Sequence, residues 1–254
     1  MRNLEKKYSA VYTPRFRLAD GCLIGIEAQI KCGQKILSAL DASKLIQCGN
    51  GGDLLKQIYT HLLNWSEKVE RSLYLSWELS SVTKAVDLKV FLDELSQALP
   101  LDQIEIVLDA DDLPVNEVMG KCRQLFMDLP GKGVRRGLLH SHPLDLPVEE
   151  ICVCIDVLKL KRGVIFEMKE NISLASQGYA FIDSLNTKRI DIVADELYNK
   201  ADVTSAVLMG IRYGQGYFLS RNQAPQKTVK TLKKSPNNDF YERRLECFES
   251  LIWY

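Results

Sequence analysis

LIGIEAQIK, residues 23–31, reads as a strand by its length and apolar content, and CGQKILSAL follows it with no GxGxxG at the turn. The first strand therefore lacks the glycine loop that opens a dinucleotide-binding doubly wound sheet. From this strand onward, short apolar runs alternate with longer segments of helical period. LLKQIYTHLLNWSEKV (54–69) places Leu55, Ile58, Leu62 and Leu63 on one side, and SLYLSWEL (72–79) reads as the next strand. VFLDELSQAL (90–99) is a helix ended by Pro100, and QIEIVLDA (103–110) a strand. VNEVMGKCRQLFMDL (115–129) is a helix closed by a PGKG turn, and VRRGLLH (134–140) and EEICVCIDVLKL (149–160) are read as strands. A helix near 170–186, a strand RIDIVAD (189–195), a helix near 198–209 and a last strand GYFL (216–219) complete the pattern.

Strand and helix repeated over about 220 residues imply βα units and a largely parallel sheet. The fold class expected is α/β, with a closed barrel over residues 1–225 as the leading candidate and the open doubly wound sheet as its competitor. Residues 226–254 form a second region: a basic linker, KTVKTLKKSPNND (227–239), then FYERRLECFESLIWY, an extra C-terminal helix with Tyr241, Leu245, Phe248 and Ile252 on one face. That face is expected to dock on the barrel or a second copy, or to bind a partner.

The chain has 254 residues, 46% of them hydrophobic, and 33 basic against 33 acidic side chains. A balanced charge gives no global field toward nucleic acid or an anionic membrane, although Lys227, Lys230, Lys233 and Lys234 make a small basic segment. No apolar run approaches the roughly 18 residues a membrane span needs, and MRNLEKKYSA lacks the apolar stretch of a secretion signal. A cytoplasmic protein is expected. Seven cysteines (Cys22, Cys32, Cys48, Cys122, Cys152, Cys154 and Cys247) contain no CxxC spacing and are read as reduced, mostly buried thiols, with Cys152 and Cys154 sharing one face of a strand.

In a βα barrel the reactive groups gather at the C-terminal strand ends. Those positions hold Glu27, Glu78, Ala110 flanked by Asp109 and Asp111, Leu139 with His140, Lys159, Asp195 to Tyr198, and Gln215. Here the residues carry a resemblance. Tyr12-x-Pro14 before IGIEAQIK, IDVLKLKRGVI (155–165), IVADELY (192–198) and GIRYGQGYFLSR (210–221) stand in the order and spacing of the EAL-domain family, bacterial phosphodiesterases that cleave cyclic di-GMP.

The resemblance implies a TIM-like (β/α)8 barrel of EAL type and, in active members, two divalent cations held by carboxylates and an Asn. Glu27, Lys159 and Gln215 match family positions. The strand-two Asn falls on Glu78, the strand-three Glu on Ala110, with Asp109 and Asp111 beside it expected on the opposite face of the strand because side chains alternate, the paired Asp on Leu139 and His140, and the closing Glu on Tyr198, so these are degraded metal positions and neither metal nor cofactor is expected. Lys31 stands where the family has a phosphate-gripping arginine, and a lysine offers no bidentate fork. Any surviving ligand contact is expected from Glu27, Lys31, Lys159, Gln215 and Tyr217. Glu27 and Lys159 are also read as an ion pair kept for structure, and Tyr217 as a core residue beside a tight turn.

The function expected from this resemblance is that of a catalytically inactive EAL-like regulator of motility, adhesion or virulence genes. It would act through a protein partner such as the flagellar master transcription regulator, without cyclic di-GMP hydrolysis. A receptor that binds cyclic di-GMP without cleaving it is the alternative, and a weak phosphodiesterase with altered metals stands behind both. Direct nucleic-acid binding is not expected, and pairing into a homodimer is left open. His140 and His142 are expected as loop histidines rather than as a substitute zinc site.

Overall fold

In a computed structural model of the chain, the residues described are 8–45, 54, 57, 58, 60–62, 74–97, 99–127, 129, 133–225 and 227. The strands are β1 (Tyr8–Arg17), β2 (Leu23–Cys32), β3 (Lys35–Ile36), β4 (Tyr74–Ser80), β5 (Ile104–Asp109), β6 (Arg135–Leu139), β7 (Val157–Leu160), β8 (Asp191–Ala194) and β9 (Tyr213–Gln215). The helices are α1 (Ala39–Leu45), α2 (Ala85–Leu95), α3 (Val115–Phe126), α4 (Val148–Cys154), α5 (Arg162–Glu170), α6 (Ile172–Thr187) and α7 (Lys200–Leu208).

From β2 through β4 to β9 the strands pair in parallel, and β1 closes the ring by pairing antiparallel with both β2 and β9. The result is the expected TIM-like eight-stranded barrel, with β3 a short hairpin arm on β2. Strand β1 is the element that the sequence reading missed. Its stretch YSAVYTPRFR carries Pro14 and two arginines, so its strand signal is weak, and pairing on both sides outweighs it.

Two other segments differ from expectation. EEICVC is not strand but α4: Pro147 sits at its N-cap, Glu149 and Glu150 occupy the first turn, and Ile151 and Cys154 are buried at helical spacing while Val153 points out. Cys152 and Cys154 therefore lie on different sides of a helix. GYFL is turn, not strand, because Gly216 adopts φ 140° and its carbonyl accepts from Leu219 and Ser220 N–H groups. The helix near 170–186 is two helices, α5 and α6.

The helices cover the outer face of the sheet. Trp77 of β4 packs on Phe91 of α2, ring centroids 5.2 Å apart. Leu88, Leu92 and Leu95 extend that contact, and Leu54, Ile58 and Leu62, of the helix expected over 54–69, are buried in the same core. The linker and terminal helix expected over 226–254 lie outside the described residues, Lys227 apart. Among the described residues, no helix is long and apolar enough to cross a membrane.

Candidate functional site: a lysine among three carboxylates

Residues in register on parallel strands face the same side, so the pairings define what points inward. Leu139 is in register with Lys159 and Asp109, and Glu27 with Ser76, which pairs with Glu105. The barrel lumen thus carries charge on β1, β2, β4, β5 and β7, although it is closed to water at Lys159, Glu27, Glu105, Arg15 and Gln215, each at most 2% exposed. Buried charges at this density must be paired.

They are. Lys159 Nζ lies 2.5 Å from Glu27 Oε2 and 2.9 Å from Asp195 Oδ2, and also contacts Glu78 Oε1. Gln29 Nε2 donates to Glu27 Oε1 at 2.7 Å, and Asn222 Nδ2 donates to Gln29 Oε1 at 2.8 Å. Below this cluster Gln215 is the bridge: its Nε2 donates to Glu27 Oε2 at 2.7 Å, and its Oε1 accepts from Arg15 Nε at 3.0 Å. Arg15 Nη1 then meets Glu105 Oε1 at 2.6 Å, and its Nη2 donates to Ser76 Oγ at 3.2 Å. Arg135, stacked on the Tyr74 ring, pairs with Asp191 at 2.5 Å and stands 3.7 Å from Glu105 Oε2.

The electrostatics follow from this packing. Burial pulls the Lys159 ammonium toward neutrality, but the carboxylates of Asp195, Glu27 and Glu78 outweigh it and hold Lys159 protonated well above the ordinary lysine range. Burial raises Asp195 and the Lys159 pair outweighs that too, leaving its carboxyl below the usual range. Glu78 goes the other way: burial, then repulsion from Glu27, pushes it up to about 7 despite Lys159. Glu105 is held below its usual range because Arg15 and Arg135 overcome the effect of burial.

Glu27, Glu78 and Asp195 bring carboxylate oxygens within 4.8 Å of one another, the one such group found among the described residues. Three carboxylates suit a hard divalent cation such as Mg²⁺ or Mn²⁺. Here the Lys159 ammonium already touches all three, so a cation would compete with it. Glu78 and Asp195 are therefore more than relics of lost positions: they remain oxygen donors at the centre.

The other predicted positions divide. Ala110 is fully buried in the outer core, and it is Asp109, one residue earlier, that faces the lumen in register with Leu139. Alternation along β5 starts from Glu105, which reverses the expected facing of this pair. Leu139 puts an apolar side chain on the inner face beside Lys159. His140 is 2% exposed; its Nδ1 accepts from the His142 N–H at 3.1 Å and its Nε2 lies 3.5 Å from the Leu113 carbonyl, so the ring staples the loop. Lys31 reaches Gln34 at 3.1 Å, away from Lys159. Tyr198 and Tyr217 are 58% and 51% exposed, so Tyr217 is a surface aromatic and not core. Arg15 and Glu105 were not foreseen. An arginine at alternate spacing from Thr13 in β1, and a lone Glu inside the apolar run IEIVLD, are the signals that mark them.

No protein-family model matches the chain, and no curated protein matches it. Solved structures do. The chain superposes on the EAL enzyme Bd1971 in its cAMP- and cyclic di-GMP-bound form with TM-score 0.68 and 14% identity, covering 90% of this chain and 65% of that one. It matches the PaMucR phosphodiesterase in complex with cyclic di-GMP with TM-score 0.68 and 16% identity, over 87% and 94% of the two chains. The Bacillus subtilis YkuI protein, with an EAL domain, solved with cyclic di-GMP and calcium, matches with TM-score 0.64 and 12% identity, over 96% and 63%. The chain thus spans just under two thirds of the Bd1971 and YkuI structures, and what these likenesses establish is an EAL-type fold.

Proposed function

We propose that this EAL-fold protein does not hydrolyse cyclic di-GMP and serves as a bacterial regulator that works by binding a protein partner, with the barrel as scaffold. One observation carries the reading: beside the Glu27, Glu78 and Asp195 group the inner face carries the apolar Leu139 and Ala110 is buried in the outer core, so the carboxylates that would complete a two-cation site are not supplied at those positions. A bound divalent cation would supply a polarised phosphoryl oxygen and a water acidic enough to attack. Holding two such cations needs several further carboxylates, and the inner face beside Lys159 offers Leu139 instead. Asp109 is inward but lies outside the three-carboxylate group.

The test is an incubation with cyclic di-GMP in Mg²⁺ and in Mn²⁺, followed chromatographically for the linear dinucleotide pGpG. The expected result is no product above a Glu27→Ala control. Product above that control overturns the inactive reading and supports a phosphodiesterase working with one cation in the Glu27, Glu78 and Asp195 group. The partner half falls if cross-linking in cells recovers no stoichiometric protein.

A further inference from the structure

Two exposed tyrosines stand side by side on the rim of the barrel. Tyr198 follows β8 and Tyr217 follows β9; their rings are 19° from parallel with centroids 6.3 Å apart. They are held there by backbone: the Leu197 N–H donates to the Gln215 carbonyl at 3.1 Å, and the Phe218 N–H to the Leu197 carbonyl at 2.8 Å. Large aromatics this exposed leave apolar ring surface in water, and a contiguous pair of them marks a contact site.

The pair is bracketed by guanidinium groups. Arg162 lies over the Tyr198 ring at 5.9 Å, but its Nε is engaged by Asp202 at 2.8 Å. Arg221 lies over Tyr217 at 4.4 Å, and among the described residues no carboxylate is paired with it. A cavity of about 340 Å³ runs beside the pair, lined by Tyr198, Tyr217, Phe218, Leu219, Ser220 and Arg221. That volume is at the small end of ligand sites, enough for one ring and a short chain but not for a dinucleotide.

We infer that this face takes an aromatic side chain and an adjacent carboxylate from a partner protein, the ring stacking on Tyr198 and Tyr217 and the carboxylate meeting Arg221. The inference rests on the partner-binding reading above and names the chemistry of the partner. Charge decides the class of ligand. The cavity lining carries no acidic residue and one guanidinium, Arg221, which a single carboxylate matches, while its volume leaves no room for a multiply charged dinucleotide. Tyrosine and arginine are also the side chains that most often anchor protein interfaces.

The experiment uses the full chain with capped dipeptides, Ac-Phe-Glu-NH₂ and Ac-Glu-Phe-NH₂, at millimolar concentration, read by saturation-transfer NMR. Transfer to the phenyl ring is expected for at least one order of residues, with Ac-Phe-Gln-NH₂ and Ac-Ala-Glu-NH₂ each weaker by about threefold to tenfold. Tyr217→Ala is expected to weaken binding by a similar factor, and Arg221→Gln to weaken the Glu peptides while leaving the Gln peptide unchanged. No transfer to either Phe peptide, equal binding of the Gln and Glu peptides, or tighter binding of GMP than of the peptides overturns the inference; the last makes this a nucleotide site. The peptide comparison on the unaltered protein keeps the test valid should a variant fail to fold. A positive pGpG assay overturns the inactive reading without touching this result, and failed peptide binding with no pGpG overturns this inference alone.

Discussion

Lys159 on β7 and Glu27 on β2 meet across the barrel, Nζ to Oε2 at 2.5 Å, with Lys159 completely buried. Replacing the lysine by methionine leaves three clustered carboxylates with no cation. Lys159→Met is expected to cost about 3–5 kcal/mol near neutral pH, less where the carboxylates protonate. Millimolar Mg²⁺ or Mn²⁺ should restore part of that loss in thermal melts while leaving the unaltered protein's melting temperature unmoved. A variant as stable as the parent in chelator would contradict this.

Glu78 titrates near 7 in the fold against an ordinary 4.5. Its folded form holds a proton that the unfolded chain releases, so its contribution is complete below about pH 4.5 and is lost as pH rises toward 7. The loss across that window is on the order of 3 kcal/mol. Urea midpoints measured across the window should fall with rising pH in the parent. In Glu78→Gln this component of the slope should disappear, with the variant at least as stable as the parent at the alkaline end.

Gln215 joins the upper and lower ion clusters. Gln215→Leu keeps the size but strands Glu27 Oε2 and Arg15 Nε of one partner each, and is expected to cost about 1–3 kcal/mol. Gln215→Glu should be milder in acid than in alkali, because its carboxylate repels Glu27 only when ionised. Chemical denaturation of both variants over pH separates the two effects.

Gly216 lies at φ 140°, where an added Cβ would fall 2.2 Å from the Leu197 nitrogen and 2.7 Å from its carbonyl oxygen. Gly216→Ala is expected to lose at least about 2 kcal/mol and to disturb the loop that presents Tyr217. Glu196 supplies the contrast. It holds φ 58° without being glycine, so Glu196→Gly should be neutral or stabilising by up to about 1 kcal/mol. Thermal melts should place Gly216→Ala below the parent and Glu196→Gly level with it or above.

The barrel was legible because β4 to β8 are short runs buried on both faces and separated by amphipathic helices, a pattern that survives low identity to any relative. Strand β1 was not, since its arginines and proline read as loop until its two antiparallel neighbours are known. Glu27, Lys159 and Gln215 were found through motifs, whereas their joint geometry with Glu78 and Asp195 brings to Glu27 residues that lie 51 to 188 positions away in the chain. The facing of Ala110 and Asp109 was misread because alternation counts only from a strand position whose side is known, and Glu105 supplies that origin. The tyrosine pair was invisible for a similar reason: Tyr198 and Tyr217 belong to different loops, which approach only once β8 and β9 are paired.

Arg15 and Gln215 are register partners although 200 residues separate them, and β1 joins β9 by this pairing. During synthesis β1 can form its hairpin with β2 early, yet its other edge has no neighbour until residue 215 has left the ribosome. Until then the nascent sheet carries one raw edge at β1 and another at the most recently made strand, and Arg15 waits without its glutamine. The vulnerable interval of this protein is therefore set by the time needed to translate the chain between its first and last strands, and chaperone demand should scale with that delay more than with the stability of the closed barrel.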